Sequence, residues 1–151
     1  MIGQSIIIRA PAQVVYDLVA DPMRMADWSP ECVHCRWIGR ATEPAVGARF
    51  RGTSRNGWRR WRTTSTIVDL RPAELFAWDV SYFGQPVARW EYRIQPHAEG
   101  VALVESVQDH RGALLRAVSP YITGSRDRAE RNADTMESTL QAIKAAAEAS
   151  A

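Results

Sequence analysis

Glu105 is the residue whose setting points most directly to chemistry. In Val101-Ala102-Leu103-Val104-Glu105-Ser106 it shares parity with Val101, Leu103 and Val107. Alternate residues of a strand face the same side, so if those apolar residues face inward the carboxylate does too. A buried carboxyl without a partner has its pKa raised by desolvation, whereas one paired with arginine stays ionised. Either state suits a site, as a general acid/base or as a hydrogen-bond anchor. The opposite parity of Ala102, Val104 and Ser106 is nearly as apolar, so an exposed Glu105 or a structural Arg–Glu pair remains open. Tyr92 is a second candidate for moving protons, and His110, beside Asp109 at the end of the strand region, is a candidate base at a cavity mouth.

Aromatic residues form the next pattern. Trp61 shares parity with Thr63, Ser65 and Ile67; Trp78 follows Phe76; Trp90 and Tyr92 alternate with Arg89, Glu91 and Arg93. With Phe50 facing the same way, a concave sheet brings these rings to one space. They either fill the core or line a pocket for a hydrophobic ligand, with Thr63 and Ser65 as polar contacts. Trp58 falls outside this set.

Cys32, His34 and Cys35 look like a metal or redox cluster. They lie on a strand pattern, where residues three apart face opposite sides, and no second ligand pair has zinc-site spacing. Neither a metal nor a redox role is expected, and no cofactor is implied. Arg49 to Arg62 holds six arginines, no acid, and Trp58 and Trp61. Basic residues among aromatics can serve single-stranded nucleic acid or an anionic surface. The patch spans one hairpin, however, and charged strands also discourage sheet-to-sheet pairing, so a solvated hairpin is the plainer reading. No nucleophile elbow, phosphate loop or dinucleotide fingerprint is present.

These residues need a scaffold. Gln4 to Arg9 reads as a strand, Pro11 opens a short helix with Val14, Val15, Leu18 and Val19 on its stripe, and Asp21-Pro22 opens another that ends at Trp28-Ser29-Pro30. From Glu31 to about His110 about six antiparallel strands alternate with turns, Asn56-Gly57 being the clearest hairpin signal because both residues tolerate positive φ. The alternation predicts one buried and one wet face. Val118, Ile122, Ser125, Ala129, Ala133, Met136, Leu140, Ile143 and Ala147 then step by three or four, which predicts one long helix from Ser119-Pro120 to about Glu148. Arg126, Arg128, Glu130, Arg131 and Glu137 lie off that stripe. The order is α+β, with the curved sheet wrapped around the long helix.

The chain has 151 residues, 46% hydrophobic and 24% charged, with no repeat or linker, so a single domain over 1–151 is expected. Six tryptophans are many for this length, and Lys144 is the only lysine among 19 basic residues. A net charge of +2 does not by itself imply a polyanion partner. No bilayer-spanning run or signal peptide is visible, so a soluble cytoplasmic protein is expected.

The whole chain resembles the START-like, pollen-allergen-like helix-grip superfamily, and within it the bacterial polyketide cyclase/dehydrase-type branch. The resemblance rests on Ala10-Pro11-Ala12-Gln13-Val14-Val15-Tyr16-Asp17-Leu18-Val19-Ala20-Asp21, Trp28-Ser29-Pro30, Val46-Gly47-Ala48-Arg49-Phe50-Arg51-Gly52, Arg89-Trp90-Glu91-Tyr92, Gly100 to Glu105-Ser106, and the arginine-rich last helix. It implies a cavity between sheet and long helix for an apolar small molecule such as a lipid, sterol or polyketide. It supplies no catalytic motif, so whether the protein is an enzyme stays open. The leading expectation is binding of a hydrophobic or aromatic molecule by Phe50, Trp61, Thr63, Ser65, Trp78, Trp90, Tyr92 and Glu105. The rivals are an aromatase/cyclase-like enzyme using Glu105 as acid/base, and a nucleic-acid or anionic-surface module using the arginine hairpin. The partner expected is a hydrophobic small molecule, with no nucleic acid, no stable membrane insertion, and a monomer or weak homodimer.

Overall fold

A computed structural model describes residues 2–125 and 127–150; Arg126, placed above off the helical stripe, lies outside them. Strand β1 (Ile2–Ile8) leads into α1 (Ala12–Val19), whose buried Val15, Leu18 and Val19 are the stripe read from the sequence. A single 3-10 turn (Pro22–Arg24) follows, capped as expected by the Asp21 carboxylate, which accepts from the Met23 N–H at 3.0 Å. It runs into the one-turn α2 (Met25–Trp28).

Six strands come next: β2 (Cys32–Trp37), β3 (Arg49–Asn56), β4 (Arg59–Arg71), β5 (Leu75–Tyr82), β6 (Gln85–His97) and β7 (Gly100–Asp109). They form one antiparallel sheet with β1, in the order β1-β7-β6-β5-β4-β3-β2. The β3–β4 hairpin turns one residue later than the Asn56-Gly57 signal suggests. Asn56 pairs with Arg59, so Gly57 and Trp58 are the loop and only Gly57 takes positive φ, at +63°. The Asn56 amide instead donates to the Thr123 carbonyl at 2.8 Å. On β5 the wet face is not wet at its start, because Leu75 and Ala77 are buried as well as Phe76 and Trp78.

The C-terminal region corrects the single-helix expectation. Two helices stand there, α3 (Ala113–Thr123) and α4 (Arg128–Ser150). Gly124 ends α3 in the left-handed region at φ +72°, its N–H bonding the Pro120 carbonyl at 2.9 Å. A Cβ at Gly124 would meet the Arg59 side chain at 3.0 Å, so the stop is also tightly packed. Ser125 therefore belongs to the connection, and Asp127 starts α4 by accepting from the Glu130 N–H at 3.0 Å.

Helix α4 is pinned to β1 by polar contacts. The lone lysine, Lys144, donates to the Ile7 carbonyl at 2.7 Å and to Glu148 at 2.8 Å, and Gln4 donates to the Ala133 carbonyl at 2.8 Å. Apolar burial fixes the rest. Leu140, Ile143 and Ala147 join Ile8, Val15, Phe50, Ile67, Phe76 and Leu103 in the main core, while Met136 packs in a separate cluster with Ala88 and Val107. This is the helix-grip arrangement, with two short helices after the first strand and a long final helix on the sheet. No described helix is long and apolar enough to cross a membrane.

A polar-capped aromatic cavity as the candidate functional site

The face of α4 changes character along its length. Arg128, Asn132, Thr135 and Thr139 recur at spacings of four, three and four, so they share one side of the helix, and all four line a cavity of about 170 Å³. One turn further on, the helix turns Leu140, Ile143 and Ala147 into solid core. The cavity exists because this helix presents polar residues where it faces the strand centres.

The opposite wall is the sheet. Phe50, Trp61, Thr63, Ser65, Trp78, Trp90, Tyr92 and Glu105 all line this cavity, so the strand parities converge on one space. Cross-strand pairing explains how. Trp78 lies opposite Trp90, their rings stacked at 6.4 Å with 12° between planes, and Tyr92 lies 5.6 Å from Trp78. Trp61 and Trp90 also line a larger adjoining cleft of about 340 Å³ bordered by Asp109, Arg111 and Ser119. Trp58 is 82% exposed and carries Arg59 over its ring at 4.3 Å. His110 is exposed, makes a backbone bond to Val87, and lines neither space, so its proposed place at the cavity mouth is not where the structure puts it. Strand β7 ends at Asp109, one residue earlier, and Asp109 and Arg111 rather than His110 border the cleft.

Glu105 faces inward, 4% exposed, and is the direct cross-strand partner of Tyr92. Desolvation pushes its carboxyl up to about 8, with the neighbouring Tyr92 phenol acting in the opposite direction. No cation contributes to the shift, so burial favours the protonated, neutral form of Glu105. The Tyr92 phenol is raised too, by burial first and then by Glu105. Glu105 Oε1 and Thr139 Oγ1 are buried and have no hydrogen-bond partner among the described residues. Each such group costs about 1–3 kcal/mol when left unpaired.

The sequence reading missed part of the wall. Glu31, just before β2, accepts from Arg128 at 2.8 and 3.2 Å and from Arg131 at 3.1 Å, tying the start of α4 to the sheet edge. The Arg–Glu pairing thus occurs at Glu31, and Glu105 has no arginine partner among the described residues. Thr139 was detectable as the position three after Met136. Cys32 and Cys35, expected on opposite faces of the strand, both line the cavity, with Sγ atoms 3.6 Å apart. The pairing register shifts between Cys32 and His34, so β2 carries one extra residue and the two thiols, nominally on opposite faces, share one. No group of three or more histidine, cysteine, aspartate or glutamate residues is gathered to hold a metal ion among the described residues.

In the β3–β4 hairpin, Arg55 donates to the Gly57 carbonyl at 2.9 Å and Arg59 to the Tyr121 carbonyl at 3.2 Å, so two of its six arginines serve the fold. Arg49, Arg60 and Arg62 are exposed on the outer side.

Comparison with known proteins agrees with this architecture. Residues 2–148 match the family described as polyketide cyclase/dehydrase and lipid transport. A Polyketide_cyc-like protein from Corynebacterium glutamicum, Cgl2372, is similar at 31% identity and TM-score 0.60, over 95% of this chain and 88% of that one. The di-domain aromatase/cyclase StfQ of the steffimycin biosynthetic pathway shares the fold at 12% identity and TM-score 0.76, covering 99% of this chain and 50% of that one. Major latex-like protein 151 from Panax ginseng shares it at 13% identity and TM-score 0.72, over 97% and 95% of the two chains. A search of curated proteins returns no match. With its sequence matched from end to end and its sheet and last helix enclosing a cavity, the chain belongs to the polyketide cyclase/dehydrase and lipid transport family.

Proposed function

We propose that this protein binds a small, neutral aromatic molecule carrying a hydroxyl or carbonyl group. The observation that carries the reading is the pair of buried polar atoms without a partner, Glu105 Oε1 and Thr139 Oγ1, in a cavity whose sheet wall carries Phe50, Trp61, Trp78, Trp90 and Tyr92. Ligand oxygens reaching these groups would satisfy them, and an aromatic ring would pack against Trp78 and Trp90. In the neutral form that burial favours, Glu105 can donate a hydrogen bond to the ligand and has no charge to attract a cation.

Size narrows the class. A dry cavity of roughly 150 Å³ holds a single benzene ring, so about 170 Å³ suits one ring, or two fused rings with small wall movement. A sterol or tetracyclic polyketide is too large for this space, although a substituent can extend past Trp61 and Trp90 into the adjoining cleft. The test is a thermal-shift panel of one- and two-ring neutral phenols and ketones against their anionic carboxylate counterparts. Selective stabilisation by the neutral compounds is expected. No stabilisation by any member would overturn the reading.

A second reading uses the same residues. Tyr92 and Glu105 are adjacent protonated acids on the cavity wall, which is the equipment a cyclisation or dehydration would need to protonate a developing enolate or a leaving hydroxyl. On that reading Glu105→Gln retains ligand binding and abolishes turnover. Unchanged turnover would remove Glu105 from the chemistry.

A further inference from the structure

Cys32 and Cys35 are the chemically distinctive part of the wall that ligand binding alone does not use. Cys35 is buried and Cys32 half-buried, and both open onto the aromatic cavity. Two familiar roles for a thiol pair fit poorly. A metal would lack further ligands, since no third histidine, cysteine, aspartate or glutamate is gathered with them among the described residues. Both cysteines are free, their sulfurs 3.6 Å apart against ~2 Å across a disulfide.

What the pair does have is a hydrogen bond, 3.6 Å between sulfurs. With Cys35 as donor, Cys32 is stabilised as thiolate and its pKa falls, while the Cys35 thiol is driven upward by that bond and by burial. Cys32 is also the more exposed of the two thiols, so ionisation costs it less desolvation and it is the better-placed nucleophile.

Resting on the cavity being a ligand site, we propose that Cys32 captures an α,β-unsaturated carbonyl compound, a quinone or aromatic enone, bound among Trp61, Trp78 and Trp90. The step needs no oxidant. The Cys32 sulfur pair forms a C–S bond to the carbon β to the carbonyl, the C=C π pair moves to give an enolate, and the enolate takes up one proton. The thiol proton of Cys32 balances that uptake, so the net change is addition of S–H across the double bond. Glu105 lines the same cavity and burial favours its protonated form, which makes it the immediate proton source, to be recharged from solvent. For an enone the reverse sequence releases the ligand, whereas a quinone adduct tautomerises to the aromatic hydroquinone and stays attached.

The probes are 1,4-naphthoquinone as electrophile and 1-naphthol as its non-electrophilic counterpart. Intact-mass and peptide mapping should show one quinone on Cys32, formed at a rate that saturates with quinone concentration and is slowed by 1-naphthol. Cys35→Ala should slow capture about tenfold at pH 7 and move its pH–rate profile upward, reflecting the lost thiolate stabilisation. Absence of an adduct, an adduct mapped elsewhere, or a rate linear in quinone and indifferent to 1-naphthol would overturn the capture proposal. Saturable 1-naphthol binding without an adduct would overturn capture alone and leave the cavity reading standing.

Discussion

Tyr92 and Glu105 lie directly opposite each other on β6 and β7, and both side chains face the cavity rather than the outer surface of the sheet. Two acidic protons are thereby held side by side away from water, without a cation to ionise either group.

That relationship sets a pH dependence. Glu105 ordinarily titrates near 4.5 but is pushed up to about 8 in the folded chain. Between those values the unfolded chain has released the proton and the folded chain retains it. The stabilising contribution is thus complete below pH 4.5 and lost progressively as pH rises towards 8. Denaturant unfolding should show a loss on the order of a few kcal/mol across this window. Glu105→Gln should flatten that part of the profile. An equally steep profile in the variant would show that another group is responsible.

Thr139 offers a separation of stability from binding. Its hydroxyl is buried without a partner, and valine has nearly the same shape. Thr139→Val should raise the stability of the unliganded protein by about 1 kcal/mol, because an unpaired polar group disappears. The same change should weaken a hydroxylated aromatic ligand several-fold. Loss of stability instead would mean that the hydroxyl is already satisfied.

Gly52 lines the cavity, and a Cβ there would sit 3.6 Å from Thr63 Oγ1 and 3.7 Å from Cys35 Sγ, ordinary contact distances. Gly52→Ala should therefore fold normally, shift Tm by no more than a degree or two, and reduce ligand affinity by filling space. Unchanged affinity in a two-ring ligand would place the ligand elsewhere.

Away from the site, Ala73 is a local liability. The Arg71–Glu74 turn is closed by the Glu74 N–H to the Arg71 carbonyl at 2.9 Å, with Pro72 followed by Ala73 at φ +62°. Glycine is favoured at that position of a turn because a Cβ is strained there. Ala73→Gly should stabilise the protein by about 0.5–1 kcal/mol, seen as a higher denaturant midpoint with unchanged slope. A lower midpoint would contradict this account of the turn.

The aromatic wall was legible because it depends only on strand alternation: Trp61, Trp78, Trp90 and Tyr92 keep their parity through regular pairing. The dithiol was not, because the bulge at Cys32–His34 adds one residue to β2 without any compositional mark, and one residue reverses which face Cys32 occupies. The break at Gly124 was hidden for a related reason. Val118, Ile122, Ser125 and Ala129 continue a helical spacing straight through it, so the glycine alone signalled the stop. Glu31 with Arg128 and Arg131 joins groups about a hundred residues apart, which no local pattern encodes.

The most direct test of the cavity's role is the affinity of 1-naphthol against naphthalene, followed by tryptophan fluorescence at pH 6. Trp61, Trp78 and Trp90 report on the cavity, and only 1-naphthol can engage Glu105 and Thr139. One-site saturable quenching is expected, with 1-naphthol bound about tenfold more tightly than naphthalene, the worth of one net hydrogen bond in a dry site. No saturable quenching by either compound, or equal affinity for both, would contradict the account.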